Sequence, residues 1–226
     1  MRLNKYIANQ GLCTRREAEA MIKKGVVRVD GITITNPGHD VAGTEVIVAQ
    51  GVNVNNYETP EYYLINKEKN NYAVKTDDNY GLIGLLKGTA AQQLEVMHPM
   101  PYMHTGLHVI TNDQEMIARM SADEARIKCT YQVALAPESK AAAESLIPVL
   151  AVAGLKAILI EDDYYDLSIT AGPLAVDAIT DTIIDASQII ARIDRMTYAS
   201  MTKKDLKRGW NRKLTDQEVI MLKHFV

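Results

Sequence analysis

Arg2-Leu3-Asn4-Lys5-Tyr6-Ile7, then Gly11-Leu12-Cys13-Thr14-Arg15-Arg16-Glu17-Ala18, then Val26-Val27-Arg28-Val29-Asp30-Gly31-Ile32-Thr33-Ile34 is the stretch whose reading decides the fold of this chain. Leu3, Tyr6 and Ile7 fall at helical spacing, and Gly11 is a natural stop. Thr14 followed three residues later by Glu17 forms a capping box: the Thr14 hydroxyl accepts the Glu17 amide and the Glu17 carboxylate reaches back. A second helix should follow, burying Ala18, Met21 and Ile22 and ending at Gly25. Residues 26–29 and 32–34 then read as two strands of a hairpin turned at Asp30-Gly31, with a further strand at 45–48.

Charge is distributed unevenly around this module. The 226-residue chain carries a net charge of −3, which argues against a general nucleic-acid binder. Residues 1–56, however, hold seven Lys/Arg against five Asp/Glu, and the remainder holds eighteen against twenty-three. A basic head is attached to an acidic body, so RNA contact should begin at Arg2, Lys5, Arg15, Arg16, Lys23, Lys24 and Arg28. The same cations also suit the solvated surface of two ordinary helices.

Other features narrow the class. With 47% apolar residues the chain can build a core. Its two cysteines, Cys13 and Cys129, have no metal-ligand spacing and imply no disulfide framework, which suits a reducing cytoplasm. Met1 to Lys5 leads into a polar helix rather than an export signal. The most apolar stretch, 146–160, is interrupted by Pro148, Gly154 and Lys156 and is too short for a bilayer, so no membrane role is expected.

Residues 51–60 are polar and Asn-rich and read as a linker between a head of 1–50 and a body of 61–226. In the body, strands are expected at 62–66, 106–111, 130–135, 156–160 and 166–169. Helices are expected at 114–120, 139–150, 187–192 and 215–225. Without strict βαβ alternation this is an α+β domain with a largely antiparallel mixed sheet.

The order of residues in the head closely resembles the alpha-L RNA-binding motif, in which the cationic face of the second helix grips phosphates of structured RNA. The body resembles the stand-alone ribosomal-RNA pseudouridine synthases. Tyr63-Leu64-Ile65-Asn66-Lys67 matches the first strand of their catalytic domain. Gly106-Leu107 and Thr111-Asn112-Asp113 match the segment after the catalytic loop, and Thr130-Tyr131-Gln132-Val133 matches the strand of the active-site tyrosine. Ile193, Arg195, Leu206, Gly209, Arg212, Leu214-Thr215 and Glu218 match the closing signature. The resemblance implies a structured, ribosomal RNA as partner and no metal or organic cofactor.

It also implies a missing nucleophile. In the family one aspartate attacks the target uridine, in a loop reading Gly-Arg-Leu-Asp; the aligned residues here are His98-Pro99-Met100-Pro101. Pro101 stands at the aspartate position, and no acid occurs between Glu95 and Asp113. A second segment, arginine-rich in the family, aligns with residues 172–182, which hold Asp177 and Asp181 and no arginine; Asp185 follows. The Lys-Pro-x-Gly after the first strand has become Lys67-Glu68-Lys69-Asn70.

The resulting expectation is an RNA-binding protein on a synthase scaffold without a catalytic residue. Tyr131 and Arg195 would remain as a vestigial pocket, and Arg212 as an ion-pairing residue. The acidic, apolar body could meet a protein partner. Two rivals stay open: an active synthase drawing its aspartate from elsewhere, and an interaction scaffold with a vestigial head. Met97, His98, Met100, Met103, His104 and His108 form a cluster of soft ligands, but Pro99 and Pro101 prevent regular ligand spacing, and no metal is expected.

Overall fold

Asp30 and Gly31 both adopt positive φ (47° and 80°), the conformation that a two-residue hairpin turn needs if its strands are to keep their twist. This turn organises the first unit of the computed structural model, which describes residues 1–56, 59–74, 81–86, 94–122, 126–137, 139–160 and 165–225. The chain divides into two compact units, Met1–Pro60 and Glu61–Val226.

In the first unit, α1 (Leu3–Asn9) and α2 (Arg15–Lys23) precede β1 (Val27–Val29), β2 (Ile32–Thr33), β3 (Ile47–Ala49) and β4 (Val52–Asn53). The strands form an antiparallel sheet in the order β2-β1-β3-β4. The Thr14–Glu17 capping box is formed in both directions. Leu3, Ile7, Ala18, Ile22, Val27, Ile47 and Val54 make the core, whereas Met21 is only partly buried.

The stretch expected as a linker is largely structured. Val52–Asn53 is an edge strand, Val54–Asn56 is a 3-10 turn, and Val54 is fully buried. Asn55 holds the turn down by accepting from the Ile47 amide at 2.8 Å and donating to the Glu45 carbonyl at 2.8 Å. Low hydrophobicity hid the segment because one apolar side chain and one asparagine do the anchoring.

The second unit runs β5 (Tyr62–Lys67), β6 (Glu95–Val96), β7 (Thr105–Thr111), α3 (Gln114–Ala122), β8 (Cys129–Leu135), α4 (Lys140–Val152), β9 (Lys156–Leu159) and β10 (Leu167–Ala171). It continues with α5 (Val176–Asp185), β11 (Ile190–Tyr198), β12 (Met201–Thr202), β13 (Asn211–Lys213) and α6 (Asp216–Lys223). The nine-stranded sheet has the order β13-β5-β7-β11-β8-β10-β9, with β6 on β7 and β12 on β11. Among the described residues its pairings are antiparallel except β7 with β11. The fold is α+β. Tyr131, Val133, Leu167, Ile169 and Ile193 share a core with Met116 and Met120 of α3, Leu146 and Leu150 of α4, and Ile179 and Ile183 of α5.

One element differs from expectation. Residues 187–192 are not a helix: Ser187 turns left-handed (φ 60°) after α5, and Ile190 begins β11 opposite Leu135. The β-branched pair Ile189-Ile190 favours a strand, and pairing with β8 outweighs the helical spacing. The helix lies earlier, at α5, where Val176, Ile179 and Ile183 recur at helical spacing and are buried.

The parallel junction of β7 and β11 needs glycine at Gly106. Its φ is 122°, and a Cβ there would run into the backbone nitrogen and carbonyl of Arg195. We expect Gly106→Ala to destabilise the protein by about 3–5 kcal/mol, measured by urea denaturation; a loss below about 1 kcal/mol would contradict this packing.

Candidate functional site

The loop 97–104 between β6 and β7 carries the aligned catalytic position, and buried side chains pin it from three directions. Lys67, at the end of β5, is fully buried. Its ammonium lies 3.3 Å from the Pro101 carbonyl, 3.1 Å from Tyr102 and 2.5 Å from His104. Burial, together with the nearby positive Arg195, pulls its pKa down to about 8. His108 accepts the Met100 amide at Nε2 (3.1 Å) and meets the Gly106 carbonyl at Nδ1 (3.0 Å), which fits the neutral Nδ1–H tautomer. Arg195, fully buried, donates from Nη2 to the His98 carbonyl at 3.0 Å.

Arg195 also donates to the Leu107 carbonyl (2.7 Å) and to the Pro173 carbonyl (3.1 Å). Among the described residues its hydrogen-bonded carbonyls are thus three, the Tyr198 ring lies 5.2 Å from the guanidinium carbon, and no carboxylate is paired with it. A buried guanidinium without a counter-ion is costly unless its donors are satisfied, and its field reaches Lys67, His98 and His108. Burial first and Arg195 second push the pKa of His98 down to about 4 and that of His108 well below the usual histidine value. Among the described residues the neighbouring carboxylate Asp194 is paired with Lys203 and Arg208 rather than with Arg195, and Asp177 acts on His104 from a distance.

Tyr131 stands opposite Arg195 in the β8–β11 register. It is fully buried, and its hydroxyl lies 2.9 Å from the carbonyls of both Gly172 and Pro173. The segment that the resemblance makes arginine-rich therefore lies over the tyrosine and the arginine as bare backbone. It occupies the donors that a ligand would otherwise meet. Pro101, at the aspartate position, is exposed, and its carbonyl closes a turn with the His104 amide at 3.0 Å. Downstream, α5 exposes Asp177, Asp181 and Asp185.

The Met/His cluster divides by position. Met97 and Met100 belong to the core, and His98 Nδ1 pairs with the Tyr198 hydroxyl at 2.6 Å. Met103 and His104 line a groove of about 520 Å³ with Lys69, Ile184 and Ile189. Arg212 makes a two-pronged pair with Glu218, 2.7 Å at each contact, and fastens α6 to β13. The loop-holding role of Lys67 escaped the sequence reading. Its signal was a lysine ending an otherwise apolar strand, Tyr63-Leu64-Ile65-Asn66-Lys67.

In the first unit, Arg2, Lys5, Arg15, Arg16, Lys23, Lys24 and Arg28 are all exposed. Arg15 and Arg16 occupy the first two positions of α2 after the Thr14 cap, and Lys23 and Lys24 lie at its other end. Arg16 and Lys23, seven residues apart, share one face. Lys23 is paired with Glu19 at 2.8 Å; among the described residues the structure gives Arg15 and Arg16 no ion pair.

Residues 1–47 match the S4 domain family. The chain is 31% identical over 131 residues to ribosomal large subunit pseudouridine synthase B of Bacillus subtilis, covering 58% of this chain and 53% of that protein. It is 25% identical over 134 residues to ribosomal small subunit pseudouridine synthase A of Pseudomonas aeruginosa, covering 59% and 58%. The matches thus span little more than half the length of these curated relatives. A solved pseudouridylate synthase has the same fold, with a TM-score of 0.62 and 21% identity over 98% of this chain and 99% of that one. The chain is an S4-headed protein of α+β architecture. Over little more than half its length it is similar to ribosomal-RNA pseudouridine synthases, and its fold is that of a pseudouridylate synthase.

The neutral histidines give the loop a pH signature. His98 stays unprotonated down to about pH 4 in the folded state, whereas unfolded histidine binds a proton near pH 6.5. The unfolded chain therefore holds more protons between those values, and stability falls as pH falls through that window. His104 and His108, also lowered, act in the same direction. The melting temperature should drop between pH 7 and 5, and drop less in His98→Gln; equal slopes for the two proteins would contradict a buried neutral His98.

Proposed function

We propose that this chain binds structured RNA through its S4 head and carries a synthase-type second domain that makes no pseudouridine. The observation that carries this reading is the closed pocket: Pro101 at the nucleophile position, with Tyr131 and Arg195 bonded to the Gly172 and Pro173 carbonyls. Nucleophilic catalysis requires a side chain that can form the covalent bond, and proline has none. The kinship of the relatives named above makes ribosomal RNA the favoured target.

For the head, support comes from the placement of its cations. Arg15 and Arg16 sit where α2 presents unbonded backbone amides, a setting that welcomes phosphate. Cations there oppose the helix dipole and do not help the helix. Their position is poor for stability and well suited to gripping an anion.

Changing Arg15 and Arg16 together to Ala should leave the melting temperature unchanged or slightly higher. Affinity for structured ribosomal RNA should fall, and the slope of log K against log salt should become shallower by about one to two. Unchanged affinity and slope would contradict RNA binding by the head. A lower melting temperature that accounts for the lost binding would make the arginines structural.

A further inference from the structure

Charge in the second unit is as uneven as in the whole chain. Although residues 57–226 are acidic overall, residues 203–213 hold six basic residues and one acidic one, in the order Lys203-Lys204-Asp205-Leu206-Lys207-Arg208-Gly209-Trp210-Asn211-Arg212-Lys213. Within this basic run stands the only tryptophan of the chain, and it is 59% exposed. Exposing most of such a ring forgoes the burial that it would gain in a core. Nothing in the pocket described above uses it.

The turn that presents Trp210 is firmly built. The Trp210 amide donates to the Lys207 carbonyl at 3.0 Å, and the Gly209 amide to the Asn66 carbonyl at 2.7 Å. The Asn66 amide donates to the Trp210 carbonyl at 3.0 Å, and the buried Asn66 side chain donates to the Leu206 carbonyl at 2.9 Å. Gly209 takes φ 79°, and a Cβ there would strike the Glu68 carboxylate at 2.7 Å. One buried asparagine thus fixes both ends of the turn, so the indole is held outward by the fold rather than left on a loose loop.

The surroundings of the ring indicate the ligand. Lys207 Nζ lies 5.4 Å from the ring centroid, within cation–π range. A cleft of about 420 Å³ opens beside it, lined by Leu85, Gly209, Trp210 and Asn211. Arg208 is paired with Asp194, and Lys213 with Glu61. Lys204 and Lys207 are exposed, and the structure gives neither a carboxylate partner among the described residues. An aromatic hot spot for a protein partner is ringed by apolar contacts that exclude water, and here, among the described residues, Leu85 is the one aliphatic side chain lining the cleft. A flat ring with Lys207 beside it, in a run of exposed cations, matches instead a platform on which an unpaired base stacks while its phosphates meet cations.

We infer that Trp210, with Lys207, forms a second RNA contact that stacks an unpaired nucleobase of single-stranded RNA. Its ligand class rests on the RNA-binding reading of the chain, but the site is separate from the S4 head and from the closed pocket. Stacking is sequence-tolerant, because every base has a π face, and so the site would hold a flexible strand flanking the structured element gripped by the head.

Because Trp210 is the sole tryptophan, its emission reports on the site directly. The full-length chain should be titrated with a structured ribosomal-RNA fragment bearing a single-stranded uridine-rich flank, with binding followed in parallel by anisotropy of labelled RNA. Quenching of the tryptophan emission should track binding, and it should be absent for the same fragment with the flank paired into a duplex. Trp210→Ala should weaken binding of the flanked fragment about tenfold and leave the paired one unchanged, and Trp210→Phe should restore most of the loss. The exposed position predicts an unaltered melting temperature for both variants. If RNA binds with affinity dependent on Arg15 and Arg16 while emission and Trp210→Ala affinity stay unchanged, the inference is overturned, the functional reading stands, and the turn is left to a protein partner. If no RNA binds at all, both fail.

Discussion

A buried arginine with no carboxylate partner among the described residues is the constraint around which the second unit is arranged. Arg195 lies on β11 between Tyr131 of β8, its antiparallel partner, and Gly106 of β7, its parallel partner, just before a register shift. Removing a guanidinium from water costs several kcal/mol, which three charge-assisted bonds of about 1.5–3 kcal/mol each can offset. The carbonyls of His98, Leu107 and Pro173 supply them. They come from three separate segments, so satisfying one side chain joins the loop before β7, β7 itself and the entry to α5.

The same charge shapes the chemistry that remains. Lys67, His98 and His108 all have lowered pKa values through burial and the field of Arg195. Each then serves a backbone or hydroxyl partner instead of a substrate: Lys67 holds loop carbonyls, His108 accepts an amide, and His98 meets Tyr198. Around Arg195 these side chains act as internal clamps. Exposed cations lie elsewhere, at α2 and around the Trp210 turn.

Much of this was legible before the fold was seen, and the exceptions have physical reasons. The capping box, the Asp30-Gly31 turn and the main strands are local signals, in which residue identity dictates backbone geometry. The Ser187 turn and β11 were misread because spacing alone cannot separate a short apolar strand from a helix; pairing with β8 decides it. The anchoring of residues 51–56 by Val54 and Asn55 is tertiary and leaves no periodic trace. At the pocket, the sequence shows that an aspartate is absent, but not that Gly172 and Pro173 take the donors of Tyr131 and Arg195. That closure depends on backbone carbonyls, which every sequence possesses.

The central claim is that a synthase scaffold has become a closed, non-catalytic support for RNA binding. It is tested most directly by incubating the purified full-length chain with protein-free and partly assembled ribosomal RNA and mapping pseudouridine at single-nucleotide resolution. The account predicts RNA bound and no new pseudouridine, for the native chain and for Pro101→Asp alike, since the added carboxylate would face a pocket already filled by backbone. Site-specific turnover by the native chain would contradict it.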